Sequence, residues 1–370
     1  MAERIVPDAV FDGKALRGAA ALSVENGRIV GLSAAQSGDR RISGTVASGY
    51  VDLQVNGGGG VLFNADPTPE GIMAIAAAHR AFGTVAILPT LITDAPEVMD
   101  RAVSALLEVW GAPGIAGIHL EGPHISLAKR GTHAARFVRP LDVHTIAALE
   151  RLRGEGVPVM LTLAPEVVPP AEITRLAEMG VIVSLGHSDA TAEVAEAALA
   201  AGALCFTHLF NAMSQMQGRA PGVTGAAIAS EAHVGVICDG HHVSDQMIAL
   251  ACRARPVRDR MFLVSDAMPT VGGPEEFQLY DMDIRVENGR LVNPEGALAG
   301  AHTTMADGVQ RLVSHVGLSP EEALKMAITT PARLIGRDDL AGLRNRRTAD
   351  VLCLRADMSV DGTLAEVLAR

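Results

Sequence analysis

The chain has 370 residues, 48% of them apolar and only 3% aromatic, with 31 Lys and Arg against 42 Asp and Glu, a formal net charge of −11. That length supports one large α/β domain with a smaller appendage; the acidic balance, without a basic run, argues against nucleic-acid binding. No apolar stretch approaches membrane-spanning length and no secretory signal opens the chain, and Cys205, Cys238, Cys252 and Cys353 lack CxxC or disulfide-like spacing, so a reducing cytoplasm is the expected compartment.

Residues 1 to about 46 read as short strands and turns, with Asn26-Gly27 marking a tight hairpin. Eight short apolar runs follow, at 46–55, 84–89, 115–121, 157–163, 181–187, 203–208, 234–239 and 261–266. Apolar residues at helical spacing fill most of the gaps, at 69–82, 95–110, 143–153, 171–179, 190–201 and 244–255, and Asp94, Asp142 and Ser244 are candidate N-caps. Continuously apolar strands alternating with helices imply a parallel sheet covered on both faces, and eight of them imply a closed (β/α)8 TIM-type barrel. A hairpin over 277–293, turning at Asn288-Gly289, and two helices at 303–316 and 320–335 come next. The tail returns to strand pattern, clearest in Ala349-Asp-Val-Leu-Cys-Leu354. The simplest arrangement joins this tail to the N-terminal strands, giving a small β-sandwich domain from residues 1–46 and 338–370 beside a barrel of residues 47–337.

Functional groups of such barrels sit at the C-terminal ends of the strands. Glu121, His187, His208 and Asp266 end the third, fifth, sixth and eighth runs. One histidine alone would read as a hydrogen-bonded core residue, but neutral imidazoles and a carboxylate at matched strand ends suit Zn²⁺ or a similar divalent ion with a position open for water. Asp266, at the end of an apolar strand, then reads as general base and later acid: it takes a proton from the metal-activated water and returns it to a leaving amine. Its plainer alternative is a carboxylate capping the following turn. His119, two residues before Glu121, shares its strand face and would orient the site. His79, His144, His233 and His315 read as ordinary. Gly57–Gly60 is neither a GxGxxG nor a P-loop motif but a tight turn permitting close backbone approach, with substrate as one candidate.

Taken together, Gly49-Tyr-Val-Asp-Leu-Gln54-Val-Asn56-Gly-Gly, His119-Leu-Glu-Gly-Pro123, Lys129-Arg-Gly-Thr-His133, Leu185-Gly-His-Ser188, Thr207-His-Leu-Phe-Asn-Ala-Met213, Gly218-Arg219, Asp239-Gly-His-His242, Val264-Ser-Asp-Ala-Met268 and Leu298-Ala-Gly300 resemble the amidohydrolase superfamily. Within it they resemble the N-acetylglucosamine-6-phosphate deacetylase family. The resemblance implies hydrolysis of the acetamide of N-acetyl-D-glucosamine 6-phosphate to D-glucosamine 6-phosphate and acetate, in amino-sugar catabolism or recycling. Carried over by position, Glu121, His187 and His208 would hold the metal, Asp266 would be the acid/base, and His133 would stabilise the oxyanion. Thr132, Asn211, Ala212, Leu298, Ala299 and Gly300 would contact the substrate, and Arg219 and His242 its phosphate. The resemblance also implies a homodimer, one phosphate contact coming from the partner subunit. Arginine suits phosphate independently, through its bidentate fork.

Two departures matter. Many relatives carry His-x-His on the first strand and bind two metals; here the position reads Gln54-Val-Asn56, and neutral amides are weak ligands, so one tight metal per subunit is expected. Zn²⁺ is the first choice, although Fe²⁺, Co²⁺ and Mn²⁺ share such ligands. Near the tail, Arg346-Arg347-Thr348 replaces the usual Gly before Ala-Asp, which should affect only a turn. The competing readings are another amidohydrolase, such as a cyclic amidase or N-acyl-amino-acid deacylase, or a silent sugar-phosphate-binding scaffold. The first is disfavoured by the absent His-x-His and the Arg219/His242 pair, the second by the presence of all four site residues.

Overall fold

Eight parallel strands, Tyr50–Val55, Thr84–Ile92, Ile118–Glu121, Val159–Leu163, Ile182–Leu185, Cys205–Phe206, His233–Val236 and Met261–Leu263, pair in chain order in the computed structural model, which describes residues 3–18 and 20–370. Seven of the eight are buried at every position, as a sheet covered on both faces requires. The first and eighth strands close the ring differently. Their seam carries the Asp266 N–H to Gln54 O bond at 3.0 Å and a bridge between Val55 and Ala267. Below these, the buried Asp52 carboxylate accepts the Ser265 N–H and hydroxyl and the Gln54 N–H. A side chain thus replaces part of the missing backbone ladder. Burial pushes Asp52 up to about 7 despite those hydrogen bonds.

The expected helices form within a few residues of their predicted spans, at Pro69–Arg80, Pro96–Val109, Val143–Gly154, Pro170–Glu178, Ala192–Ala200 and Asp245–Ala254. Asp142 caps its helix through the Thr145 N–H, and Ser244 holds the cap position without a side-chain bond. Asp94 misses by one residue: it accepts the Ala95 N–H, and Ala95 itself is the cap before Pro96. One helix, Gly222–Ala229, escapes the periodicity argument because seven of its eight residues are buried, leaving no polar face to reveal the period. Toward the C-terminus, Met305–Ser314 forms a regular helix, whereas the predicted 320–335 helix contains a π-turn at Lys325–Thr329. Pro331 follows it closely and lacks the N–H that a regular ladder would use.

The N- and C-terminal segments join in a β-sandwich. Val360–Thr363, Val351–Leu354, Thr45–Ser48, Ala9–Phe11 and Leu16–Gly18 form one sheet; Arg28–Ala34, Ala20–Glu25, Glu3–Val6 and Arg40–Arg41 form the other. Ile5, Leu22 and Ile29 meet Val10, Val46, Val351 and Cys353 between them. Asn26-Gly27 and Asn288-Gly289 both turn through positive φ, as two-residue hairpins demand. The second belongs to three strands rather than two, Glu276–Leu279, Met282–Glu287 and Arg290–Val292, because a further turn at Tyr280-Asp281 forms without glycine. This small sheet packs Leu279, Ile284 and Leu291 on Ile92, Met268 and Ala299 at the C-terminal end of the barrel strands. The cysteines are free, with Cys252 half-buried and the other three buried. Among the described residues no helix is long and apolar enough to cross a membrane.

Candidate active site

Strands five, six and eight end where the chain bends sharply, and the bend aims the side chains. His187, His208, Ala212 and Asp266 adopt left-handed backbone conformations, φ 48°, 29°, 47° and 52°. Non-glycine residues hold these only where the surroundings over-determine them. Around the barrel axis, His208 Nε2 lies 3.0 Å from Glu121 Oε1 and 3.1 Å from His187 Nε2, and the third side of the triangle is 3.3 Å. All three residues are buried.

The His187 Nδ1–H donates to Lys129 O at 2.9 Å, which leaves its Nε2 as a lone pair facing the centre. His208 Nδ1 is buried without a hydrogen-bond partner among the described residues. Burial opposes charge on both Glu121 and His208, yet the hydrogen bonds and charges of His187 and His208 hold Glu121 well below the carboxylate range, and Glu121 in turn raises His208. Left to itself, the triangle needs an imidazolium. A divalent cation satisfies all three atoms, and tetrahedral ligands at about 2.0–2.1 Å lie roughly 3.3–3.4 Å apart, close to these separations. The residues fit such an ion. A wider group, Glu121, His133 and His187, also offers donors within 4.8 Å of one another. However, His133 Nε2 stands 3.9 Å from Glu121 Oε2, so the tighter triangle is the better ligand set.

Asp266 faces this triangle through a shared amide. Gln54 Nε2 donates to Glu121 Oε1 at 2.9 Å and to Asp266 Oδ1 at 3.0 Å, while Asn56 Nδ2 donates to Asp266 Oδ1 at 2.7 Å. The first-strand amides therefore act as donors to the two carboxylates. Sequence reasoning identified them as poor ligands and missed this role, although Gln54 and Asn56, two residues apart on a strand, must share a face. Burial, and then the Glu121 charge, push Asp266 up to about 6. An acid/base working near neutral pH needs such a value.

His133 projects toward the same centre, with Nδ1 2.7 Å from the Thr93 hydroxyl. Burial and the neighbouring His187 depress it to about 3, so the ring is neutral and holds one proton. It can donate from Nε2 only if the Thr93 hydroxyl donates into Nδ1. His119 is buried behind Glu121 with Nε2 2.7 Å from Thr162 Oγ1, continuing through Thr207 to Ser184.

One cavity of about 180 Å³ is lined by Asn56, Glu121, His133, His187, His208 and Asp266 together with Thr132, Asn211, Ala212, His242, Leu298 and Gly300. His242 Nδ1 pairs with Asp239 at 2.7 Å, leaving Nε2 as the ring nitrogen available to the cavity. Asp239 is held down to about 2: burial opposes its charge, but the His242 bond and charge outweigh it. Ala299 is buried behind the lining. Arg219 is not brought to the cavity: it is exposed, on a turn where Gln217 and Ala220 pair. Nor is the glycine run, which packs on backbone at Gly57, where a Cβ would stand 2.4 Å from Val61 O, and on the His79 and Ala78 side chains at Gly58. Its anchor is His79, read from sequence as ordinary and found buried with Nε2 2.9 Å from Gly57 O.

An eight-stranded parallel barrel with an acidic and imidazole cluster at its C-terminal mouth is a hydrolase scaffold built for a cation, and the chain belongs to the amidohydrolase family, whose model matches residues 45–366. Among its relatives, N-acetylgalactosamine-6-phosphate deacetylase of Shewanella sp. (strain ANA-3) is 42% identical over 92% of this chain and 89% of its own length. Human N-acetylglucosamine-6-phosphate deacetylase is 34% identical, over 86% of this chain and 81% of its own. In structure the chain is similar to a mutant N-acetyl-D-glucosamine-6-phosphate deacetylase from Mycobacterium smegmatis in complex with N-acetyl-D-glucosamine-6-phosphate. That similarity has a TM-score of 0.88 at 32% identity and covers 97% of this chain and 96% of the other.

Proposed function

We propose that this protein hydrolyses the acetamide of an N-acetylhexosamine 6-phosphate, N-acetyl-D-glucosamine 6-phosphate in the first instance, releasing acetate and the amino-sugar phosphate. The observation that carries the reading is Asp266, pushed toward neutral pH and hydrogen-bonded by Gln54 and Asn56 beside the Glu121–His187–His208 triangle. The named relatives support the substrate class. Glu121, His187 and His208 would hold one divalent ion, zinc by preference, which supplies Lewis acidity toward the carbonyl and acidifies water. Asp266 takes the proton of the attacking water and passes it to the nitrogen as the C–N bond breaks. His133 Nε2–H stabilises the developing oxyanion, with Thr93 fixing the tautomer.

His242 holds the phosphate from within the chain. Arg219, exposed and outside its own cavity, suits a phosphate contact donated across a homodimer interface. Thr132, Asn211, Ala212, Leu298 and Gly300, with Ala299 behind them, position the sugar. We place the barrel at residues 47–337, the sandwich at 1–46 and 338–370, and the protein in the cytoplasm. A second reading, preference for the galactosamine epimer, is favoured by the 42% identical relative. Acetate release from both phosphorylated epimers and from unphosphorylated N-acetylglucosamine tests both. A strong preference for a phosphorylated sugar supports the proposal, and equal weak rates on all three refute it.

A further inference from the structure

At the opposite end of the barrel from the catalytic cavity, the rim and the small domain enclose a cleft of about 370 Å³, twice the size of the catalytic one. Five arginines line it: Arg28 from the first hairpin, Arg80 from the end of a barrel helix, and Arg337, Arg346 and Arg347 from the tail. Trp110 forms part of its wall. Guanidinium groups gathered this closely repel one another, so such a cluster is costly unless anions answer it.

Two carboxylates answer some of this charge. Asp350 pairs with Arg80 and Arg347, and Asp339 takes Arg337 in a bidentate pair at 2.8 and 2.9 Å. Arg28 and Arg346 have no carboxylate partner among the described residues. Arg28 Nη1 reaches Asn345 O at 2.8 Å, and Arg346 reaches the carbonyls of Gly342 and Asp339. Burial pushes Arg346 down, and the nearby charges of Asp350 and Asp339, which oppose that shift, do not make it good. Conserving the joint between domains requires donors, not cations: neutral side chains would serve those carbonyls equally well. Three positive charges beyond the two carboxylates call for an anion. Arg346-Arg347 is also the departure in the tail that the deacetylase reaction does not use.

We propose that this cleft binds a small phosphate-bearing anion of two or more charges, with Arg28 and Arg346 as its contacts and the Trp110 indole as its wall. Guanidinium forks match phosphate oxygens, and removing one such contact weakens binding by at least about tenfold. Trp110 is the one tryptophan in the chain, so intrinsic fluorescence reports on this cleft directly. The metal-loaded protein is titrated with pyrophosphate and with ADP, against sodium chloride at matched ionic strength. The expected result is a saturable change in Trp110 emission, at least about tenfold weaker in Arg28→Ser and in Arg346→Ser, with acetate release unchanged in both variants. Tighter binding of ADP than of pyrophosphate assigns the indole to an organic moiety; equal binding assigns the site to phosphate alone. No saturation up to about 10 mM, or a response that sodium chloride reproduces, overturns the proposal. So does a response that persists in the variants, as it would if pyrophosphate merely stripped the catalytic cation. Should Arg346→Ser fail to fold, Arg28→Ser carries the test, because that side chain is exposed and bonds a single carbonyl.

Discussion

Replacing Gln54 by Leu removes one amide that serves two carboxylates, at 2.9 Å and 3.0 Å, from a side chain that is buried. A hydrogen bond to a charged acceptor contributes about 1.5–3 kcal/mol, and the lower figure is appropriate for a shared donor. One pH unit corresponds to about 1.4 kcal/mol, so Asp266, now at about 6, rises by roughly one unit. The sign follows from the base needing its ionised form. At pH 6 the ionised fraction falls from about one half to about one tenth, at pH 7 from about nine tenths to about one half, and at pH 8.5 it scarcely changes. The variant's kcat should therefore drop about fivefold at pH 6 and about twofold at pH 7, and recover in alkali. A bound cation moves both profiles to lower pH but preserves their separation. The assay is kcat for acetate release across pH, with metal content measured on the same samples. A uniform loss at every pH, at full metal occupancy, would refute the tuning argument and with it the assignment of Asp266 as base.

Asp266→Asn should retain metal and lose turnover by at least about 10²-fold, and near-normal kcat would remove Asp266 from the chemistry. Glu121→Ala should lower bound metal in elemental analysis; full occupancy would show that the triangle is not the ligand set. Mixing Asp266→Asn chains with Arg219→Ala chains, followed by subunit exchange, should restore about a quarter of wild-type activity, since half of randomly paired dimers regain one site. No recovery in exchanged dimers argues that Arg219 does not act across the interface. Asp52→Asn should flatten the pH dependence of thermal stability. The native carboxyl, raised to about 7, stabilises the fold fully below its unfolded value and loses about 1.4 kcal/mol per pH unit as pH rises toward 7. An unchanged Tm profile from about pH 4 to pH 7 would show that Asp52 does not titrate there.

The barrel was legible because its strands are continuously apolar and its helices mostly amphipathic, so period and length agree at nearly every step. Glu121, His187, His208 and Asp266 could be picked out because each ends such a run, and the structure gathers all four at one mouth. What lay beyond reach was geometry that runs between strands. Nothing local to Gln54 says that its amide will bridge Glu121 and Asp266, 67 and 212 residues away. Thr93 likewise gains meaning only when His133, 40 residues on, folds against it. The helix Gly222–Ala229 was hidden by its own burial, and Arg219 showed its charge in sequence but not its distance from the cavity.

Because the first and eighth strands meet through Asp52 and Ser265, 213 residues apart, and the site closes over the same seam, catalytic competence requires the two ends of the barrel to have met. Loop-closure entropy grows only slowly with such a separation, but contacts this distant form after local ones. A chain whose first seven strands have paired already carries Glu121, His187 and His208, yet lacks both Asp266 and the seam beneath it. With metal in excess, and at chain concentrations where the rate no longer depends on subunit association, recovery of acetate release after dilution from denaturant reports the docking of the last strand, whereas circular dichroism reports the growth of helices. The lag between the two is a direct clock for barrel closure.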